Sequence, residues 1–98
     1  MKVVGGAGAD LLSGSGFSGP LIFEGGAGND LITSAAKDDV LDGGRGNDWM
    51  VGNQGNDTMD GGPGDDVLRG DAGNDDMNGG PGSDVCLSGP GGDRTISC

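Results

Sequence analysis

The sequence predicts an all-β coil of short strands joined by glycine turns, wound so that alternate segments lie on opposite sides. Three observations predict it. First, residues 43–78 read GGRGNDWMV, GNQGNDTMD, GGPGDDVLR and GDAGNDDMN, four blocks of nine residues without a gap. Self-similarity at a fixed period marks a solenoid or array. Each block has Gly at places one and four, Asp at place six and Met or Leu at place eight. Second, the six opening residues suit a tight turn, because Gly accepts positive φ without steric cost. The last three residues are β-prone, and in a strand the middle side chain points opposite to its neighbours. Third, blocks opening Gly-Gly-x-Gly alternate with more variable ones, so the true period is two nonapeptides.

The elements follow in order. Lys2, Val3 and Val4 fit the last third of a preceding repeat, with Val3 at place eight. Repeat one is 5–13, and Gly14 and Ser15 read as two extra residues. Repeat two, 16–24, is GFSGPLIFE, with Leu21 at place six. Repeat three, 25–33, matches fully, whereas repeat four, 34–42, is SAAKDDVLD and lacks the glycines. Repeats five to eight are the four central blocks. Repeat nine is 79–87 and repeat ten 88–96, with Ser97 and Cys98 closing the chain. Place eight is then Leu12, Phe23, Ile32, Leu41, Met50, Met59, Leu68, Met77, Cys86 and Thr95, and these side chains should line a thin interior. Residues 1–98 form one domain, with an irregular segment at 14–24 and a C-terminal cap at 88–98.

Composition narrows the function classes. There are 25 Gly among the 98 residues, and the 16 Asp plus Glu against five Lys plus Arg give a net charge of −11. All but Glu24 of those acids are Asp, which a merely solubilising tail would not require. Such a chain repels nucleic acid and anionic lipid and attracts cations. About ten large apolar side chains cannot offset the entropy of ordering so glycine-rich a backbone, so something further must stabilise the fold. Without it, the composition predicts disorder. No stretch approaches the length of a membrane span, and the short apolar run at the start is not a signal peptide.

The Gly-Gly-x-Gly-x-Asp-x-U-x repeat, with U a large apolar residue, resembles that of the RTX (repeats-in-toxin) family, whose hemolysin-type nonapeptides bind calcium. The resemblance covers residues 5–96. It implies an all-β right-handed parallel β-roll, a β-solenoid of two short-strand parallel sheets with glycine-rich calcium-binding turns. Ca²⁺ would sit between turns stacked on one side, held by turn carbonyls and by the place-six Asp of both turns. Ca²⁺ takes six to eight oxygen ligands in flexible geometry, and carbonyls and carboxylates are its usual donors.

Carried onto this chain, the resemblance implies four sites on the odd side: Asp10 with Asp30, Asp30 with Asp48, Asp48 with Asp66, and Asp66 with Asp84. Their turn ligands would come from Gly5, Ala7, Gly25, Gly26, Ala27, Gly28, Gly43, Gly44, Arg45, Gly46, Gly61, Gly62, Pro63, Gly64, Gly80 and Gly82. The even side gives Asp57 with Asp75 and Asp75 with Asp93, with Gly52, Gln54, Gly70, Ala72, Gly73, Gly89 and Gly91 in the turns. Asp39 with Asp57 is the weaker pair, because Ser34, Ala35, Ala36 and Lys37 replace the glycines. Leu21 offers no ligand, and the two extra residues lengthen the first odd coil. About six Ca²⁺ ions would offset the acidic charge and stabilise the fold, an unfolded-apo, folded-holo pattern. The competing reading of the Asp ladder is a solvated acidic surface, which the regular spacing disfavours. Asp38, Asp42, Asp60, Asp65, Asp71 and Asp76 lie off place six and read as solvated charge.

Place seven on the odd side is Leu11, Leu31, Trp49, Val67 and Val85. Ordinary β-propensity at exposed strand positions explains such a stripe; a surface for self-association or for docking on a parent protein is the alternative. Cys86 and Cys98 are either a disulfide pinning the last coil, which implies an oxidising compartment, or one buried and one free thiol. With no His, no Tyr and no base beside a Ser, no catalytic constellation is present, and the chain reads as a non-enzyme. The resemblance implies part of a secreted bacterial protein, folding on Ca²⁺ binding after export, with its targeting signal outside these residues. A self-standing extracellular interaction module is the alternative.

Overall fold

The structure is a computed structural model that describes residues 2–14 and 19–98. Among them are eleven three-residue strands and no helix. The strands are β1 (Lys2–Val4), β2 (Leu11–Ser13), β3 (Ile22–Glu24), β4 (Leu31–Thr33), β5 (Val40–Asp42), β6 (Trp49–Val51), β7 (Thr58–Asp60), β8 (Val67–Arg69), β9 (Asp76–Asn78), β10 (Val85–Leu87) and β11 (Arg94–Ile96). Every strand begins at place seven, immediately after the place-six residue. A glycine-rich turn of six residues leaves only three for extended chain before the next turn begins.

Two parallel sheets result. One runs β1-β3-β5-β7-β9-β11 and the other β2-β4-β6-β8-β10. Strands two apart in sequence are therefore neighbours, and each coil of the chain contributes one strand to each sheet. This is a parallel β-roll. The register is in step: Leu31 pairs with Trp49, Ile32 with Met50 and Thr33 with Val51. The first coils carry two more residues, so Leu11 pairs with Leu31 and Lys2 with Ile22.

The interior is a single file of side chains. Leu12, Phe23, Ile32, Leu41, Met50, Met59, Leu68 and Met77 are buried, with Cys86 and Val3 packed partly against them. These are the middle residues of their strands, as the alternation of strand side chains requires. The molecule measures 29 × 27 × 13 Å, which leaves room for only this one layer between the sheets. Thr95 departs from the expectation and is exposed. Its strand β11 ends its sheet, and among the described residues no further strand lies opposite to cover it.

The extra residues sit elsewhere than the sequence suggests. The Gly14 N–H donates to the Thr33 carbonyl at 2.8 Å, just as Ser34 donates to Val51 and Gly52 to Arg69. Gly14 therefore occupies place one of repeat two, and the two added residues fall between it and Leu21. Ser15, read as the second extra residue, and Gly16, read as the opening glycine, lie outside the described residues. Leu21 joins the core at 1 % exposure.

The turns stack almost in contact. A Cβ on Gly28 would meet the Gly8 carbonyl oxygen at 2.2 Å, and the residue has φ +104°. Only glycine meets both demands without strain.

Candidate metal centre

The turns hand the chain into each strand through place six, so the place-six side chains form two columns along the roll. Asp10, Asp30, Asp48, Asp66 and Asp84 make one. Leu21, Asp39, Asp57, Asp75 and Asp93 make the other. Asp30, Asp39, Asp48, Asp57, Asp66 and Asp75 are all buried; Asp10, Asp84 and Asp93, nearer the ends, are half-buried.

Every carboxylate of the columns except Asp10 has one oxygen fixed by protein. Asp30 Oδ1 accepts the Asp10 N–H, Asp48 Oδ1 that of Asp30, and Asp66 Oδ1 that of Asp48, each at 2.8 Å. Asp84 Oδ1 continues the column by accepting from Asp66. The other column repeats the pattern from Leu21 to Asp39, Asp57, Asp75 and Asp93. The second oxygen is different. Oδ2 of all nine of these Asp residues is buried with no hydrogen-bond partner. A buried polar atom without a partner costs about 1–3 kcal/mol, more when charged.

Electrostatics give the same picture. Burial pushes Asp48 and Asp57 up to about 7 and Asp66 to about 6, with the backbone N–H bond opposing and neighbouring carboxylates adding to the rise. Asp75 is raised for the same reasons, burial first. Anions stacked this way repel one another and lack solvation, and a divalent cation corrects both faults.

Where place one is glycine, its backbone comes so close to Oδ2 that a side chain there would collide with it. A Cβ on Gly5 would lie 2.6 Å from Asp10 Oδ2 and 2.7 Å from the Gly25 carbonyl oxygen. The same cradle recurs at Gly25, between Asp30 Oδ2 and the Gly43 carbonyl, and at Gly61, between Asp66 Oδ2 and the Gly79 carbonyl. Gly52 repeats it with Asp57 Oδ2 and the Gly70 carbonyl. At Gly43 and Gly70 a Cβ would strike Asp48 Oδ2 and Asp75 Oδ2. The longer first coil does not disturb the Gly5 cradle.

The candidate turn residues lie in turns stacked coil upon coil. Ala27 and Arg45 bridge adjacent coils in parallel, as do Gln54 and Ala72. The Pro63 carbonyl accepts the Gly46 N–H at 3.1 Å, and Pro81 accepts that of Gly64. The carbonyls of Gly26 and Gly44 point at the α-carbons of Gly44 and Gly62, and those of Gly64 and Gly73 at Gly82 and Gly91. Gly80 and Gly89 take positive φ in the last turns of their columns. Among the described residues no three acidic, His or Cys side chains converge, so any ion here must draw on paired Asp and backbone oxygens.

Place five is a structural column that the sequence reading missed. Asn29 Oδ1 accepts the Asn47 N–H, Asn47 Oδ1 that of Asp65, and Asp65 Oδ1 that of Ser83. On the other side Asp38, Asn56 and Asn74 do the same for Asn56, Asn74 and Gly92. Asp42 and Asp60 accept from Gly44 and Gly62 two residues on, and Asp71 pairs with Arg69. These acids are not merely solvated charge. The recurrence of Asn-Asp at places five and six was the available signal.

The cysteine alternative is settled, and the apolar stripe has a definite place. Cys86 and Cys98 form a disulfide with Cα atoms 5.7 Å apart. Leu11, Leu31, Trp49, Val67 and Val85 are successive register partners on the outer face of the five-stranded sheet, all exposed save half-buried Val67.

No curated protein and no solved structure matches the chain significantly. A family model does: the RTX calcium-binding nonapeptide repeat, in 4 copies at residues 2–17, 24–59, 51–86 and 60–94. With the two Asp columns and their glycine cradles in place, the chain belongs to the RTX calcium-binding nonapeptide repeat family.

Proposed function

We propose that this chain is a calcium-loaded folding module in which Ca²⁺ lies between successive turns of each column. Asp10, Asp30, Asp48, Asp66 and Asp84 would hold ions on one side, and Asp57, Asp75 and Asp93 on the other, together with turn carbonyls from places one to four. The observation that carries the reading is the set of nine buried, unpartnered Oδ2 atoms. When bound, Ca²⁺ would supply the positive charge that these carboxylates lack. The protein's share is to fix Oδ1 on a backbone N–H at every one of these Asp residues but Asp10, and so aim Oδ2 into its cradle.

Calcium binding then becomes folding free energy, because no such column exists in the unfolded chain. A chain of this kind would stay unfolded where calcium is scarce and fold where it is plentiful, as suits a segment of a secreted bacterial protein that folds after export. The disulfide fits an oxidising destination. The reading is non-catalytic.

Far-ultraviolet circular dichroism of the metal-stripped protein, titrated with Ca²⁺ and separately with Mg²⁺, tests it. A cooperative coil-to-β change with Ca²⁺ alone is expected. A β spectrum in chelator that Ca²⁺ leaves unmoved would overturn the folding role.

The contiguous apolar column favours one second reading, calcium-dependent docking or self-association through Leu11, Leu31, Trp49, Val67 and Val85. A mass that stays monomeric across concentration in calcium, with Trp49 fully open to quenchers, would sink it.

A further inference from the structure

Eight junctions join successive turns along the two columns, and two of them differ from the rest. At Gly14 the space beside place one is filled by Leu21, whose Cδ1 lies 2.5 Å from the Cβ position. The other lies between repeats four and six. There place one is Ser34, whereas the turn that opens each calcium-type junction has glycine at that place; the other serine at place one, Ser88, lies in the last turn of its column. Ser34 is 1 % exposed, and its Oγ donates to the Gly52 carbonyl at 2.5 Å. Asn53 Nδ2 donates back to the Ser34 carbonyl at 2.6 Å.

The Gly52 carbonyl is the counterpart of the Gly25, Gly43 and Gly79 carbonyls that border the glycine cradles. In those junctions the carbonyl and an Oδ2 both close on the position that a Cβ would take, and glycine leaves it without one. In this one the serine Cβ stands in that position and the hydroxyl has taken the carbonyl. The remainder of the site is intact. Asp39 Oδ2 is buried and unpartnered like its eight counterparts, Asp57 Oδ1 accepts the Asp39 N–H at 2.9 Å, and the Lys37 carbonyl faces Gly55 as the Gly46 carbonyl faces Gly64.

We infer that the Ser34 hydroxyl, bridged to Gly52 and braced by Asn53, joins the turns of repeats four and six in place of a calcium ion, so that Asp39 holds no metal. With Leu21 closing the junction before it, the N-terminal half of the even column is held by protein atoms alone. Calcium loads the odd column along its length and the even column only beyond Gly52. This inference rests on the calcium reading above and adds which junctions take no ion.

The test is the number of Ca²⁺ ions per chain, counted by native mass spectrometry and by competition with a chromophoric chelator. Ser34→Gly should bind one ion more than the unaltered chain. Ser34→Ala, which keeps the Cβ but loses the bridge, should bind the same number as the unaltered chain and melt lower. Asp39→Asn should leave the ion count of the unaltered chain unchanged. Equal counts for Ser34→Gly and the unaltered chain would overturn the inference, as would loss of an ion in Asp39→Asn. The Asn variant decides the matter even if Ser34→Gly fails to fold. Absence of calcium from every variant would instead bring down the calcium reading, and this inference with it.

Discussion

The Asp48 N–H donates to Oδ1 of Asp66 at 2.8 Å, one coil further along the roll. One residue earlier the bond runs the other way, from the Asn47 N–H back to Oδ1 of Asn29. Adjacent rungs thus have opposite direction. The place-six rung spends one carboxylate oxygen on protein and leaves the other buried; the place-five rung uses exposed side chains and leaves no buried charge.

Asp66 should therefore be separable into its two roles. Asp66→Asn keeps an oxygen for the Asp48 N–H and removes the negative charge between two junctions. The expected outcome is a calcium midpoint about tenfold or more higher, since ligand charge sets affinity in such sites. In chelator the same variant should be no less stable than the unaltered chain. A calcium titration followed by circular dichroism, with a melt in chelator, checks both.

Asn47→Ala should behave in the contrary way. It removes the acceptor for the Asp65 N–H, a loss of about 1 kcal/mol, while the number of bound ions stays the same. Equilibrium urea unfolding in calcium, paired with an ion count, distinguishes the two columns. A lost ion would show that place five contributes to the metal sites.

The pH dependence follows from burial. Folded Asp48 and Asp57 titrate near 7 and Asp66 near 6, against about 3.9 for an unfolded Asp. Between those values the metal-free folded state holds more protons than the unfolded one, so its stability falls as pH rises from about 4 to about 7. In chelator, β structure should be greatest near pH 4–5 and fade toward pH 8. Calcium reverses the trend, because its ligands must be deprotonated. Apparent affinity should weaken as pH falls below about 7, which titrations at pH 5.5 and 7.5 would show. Calcium affinity independent of pH over that range would contradict the buried-carboxylate account.

Lys37 stands at place four with φ +99°, a conformation that favours glycine. Such a residue costs on the order of 1 kcal/mol or more. Lys37→Gly should raise the melting temperature by a few degrees, with no change in ion count. A lowered melting temperature would mean that the lysine side chain contributes more than its backbone costs.

Reducing the Cys86–Cys98 bond should loosen the last coil first. The bond closes a loop of 12 residues in sequence, worth about 3 kcal/mol. Hydrogen exchange should therefore quicken in β10 and β11 and leave β4 to β7 unchanged. Uniform loss of protection would show that the bond supports the whole roll.

Much of this was legible in the letters. Asp48 with Asp66, and Asp57 with Asp75, could be read as two parallel ladders because glycine turns and single-file packing repeat the same constraints every nine residues. Met50 and Met59 were placed inward for the same reason. The failures have physical causes too. Gly14 looked surplus because Leu21, not a carboxylate, fills its junction, and counting back from Leu21 misplaces the added residues. Thr95 was assigned inward by periodicity, which knows nothing of where a sheet ends. Asp38 and Asp65 read as solvated charge in the sequence because they bond backbone N–H groups a full coil away, a partner no local pattern reveals.

The constant spacing of 18 residues between successive rungs has a kinetic meaning. Each new coil closes a loop of the same length onto the one before it, so no contact in the central roll carries a larger closure entropy than another. The molecule should zip, rung upon rung, with nearest-neighbour couplings alone setting how far order spreads. A lesion midway would then act as a fracture between two shorter springs, each still able to wind.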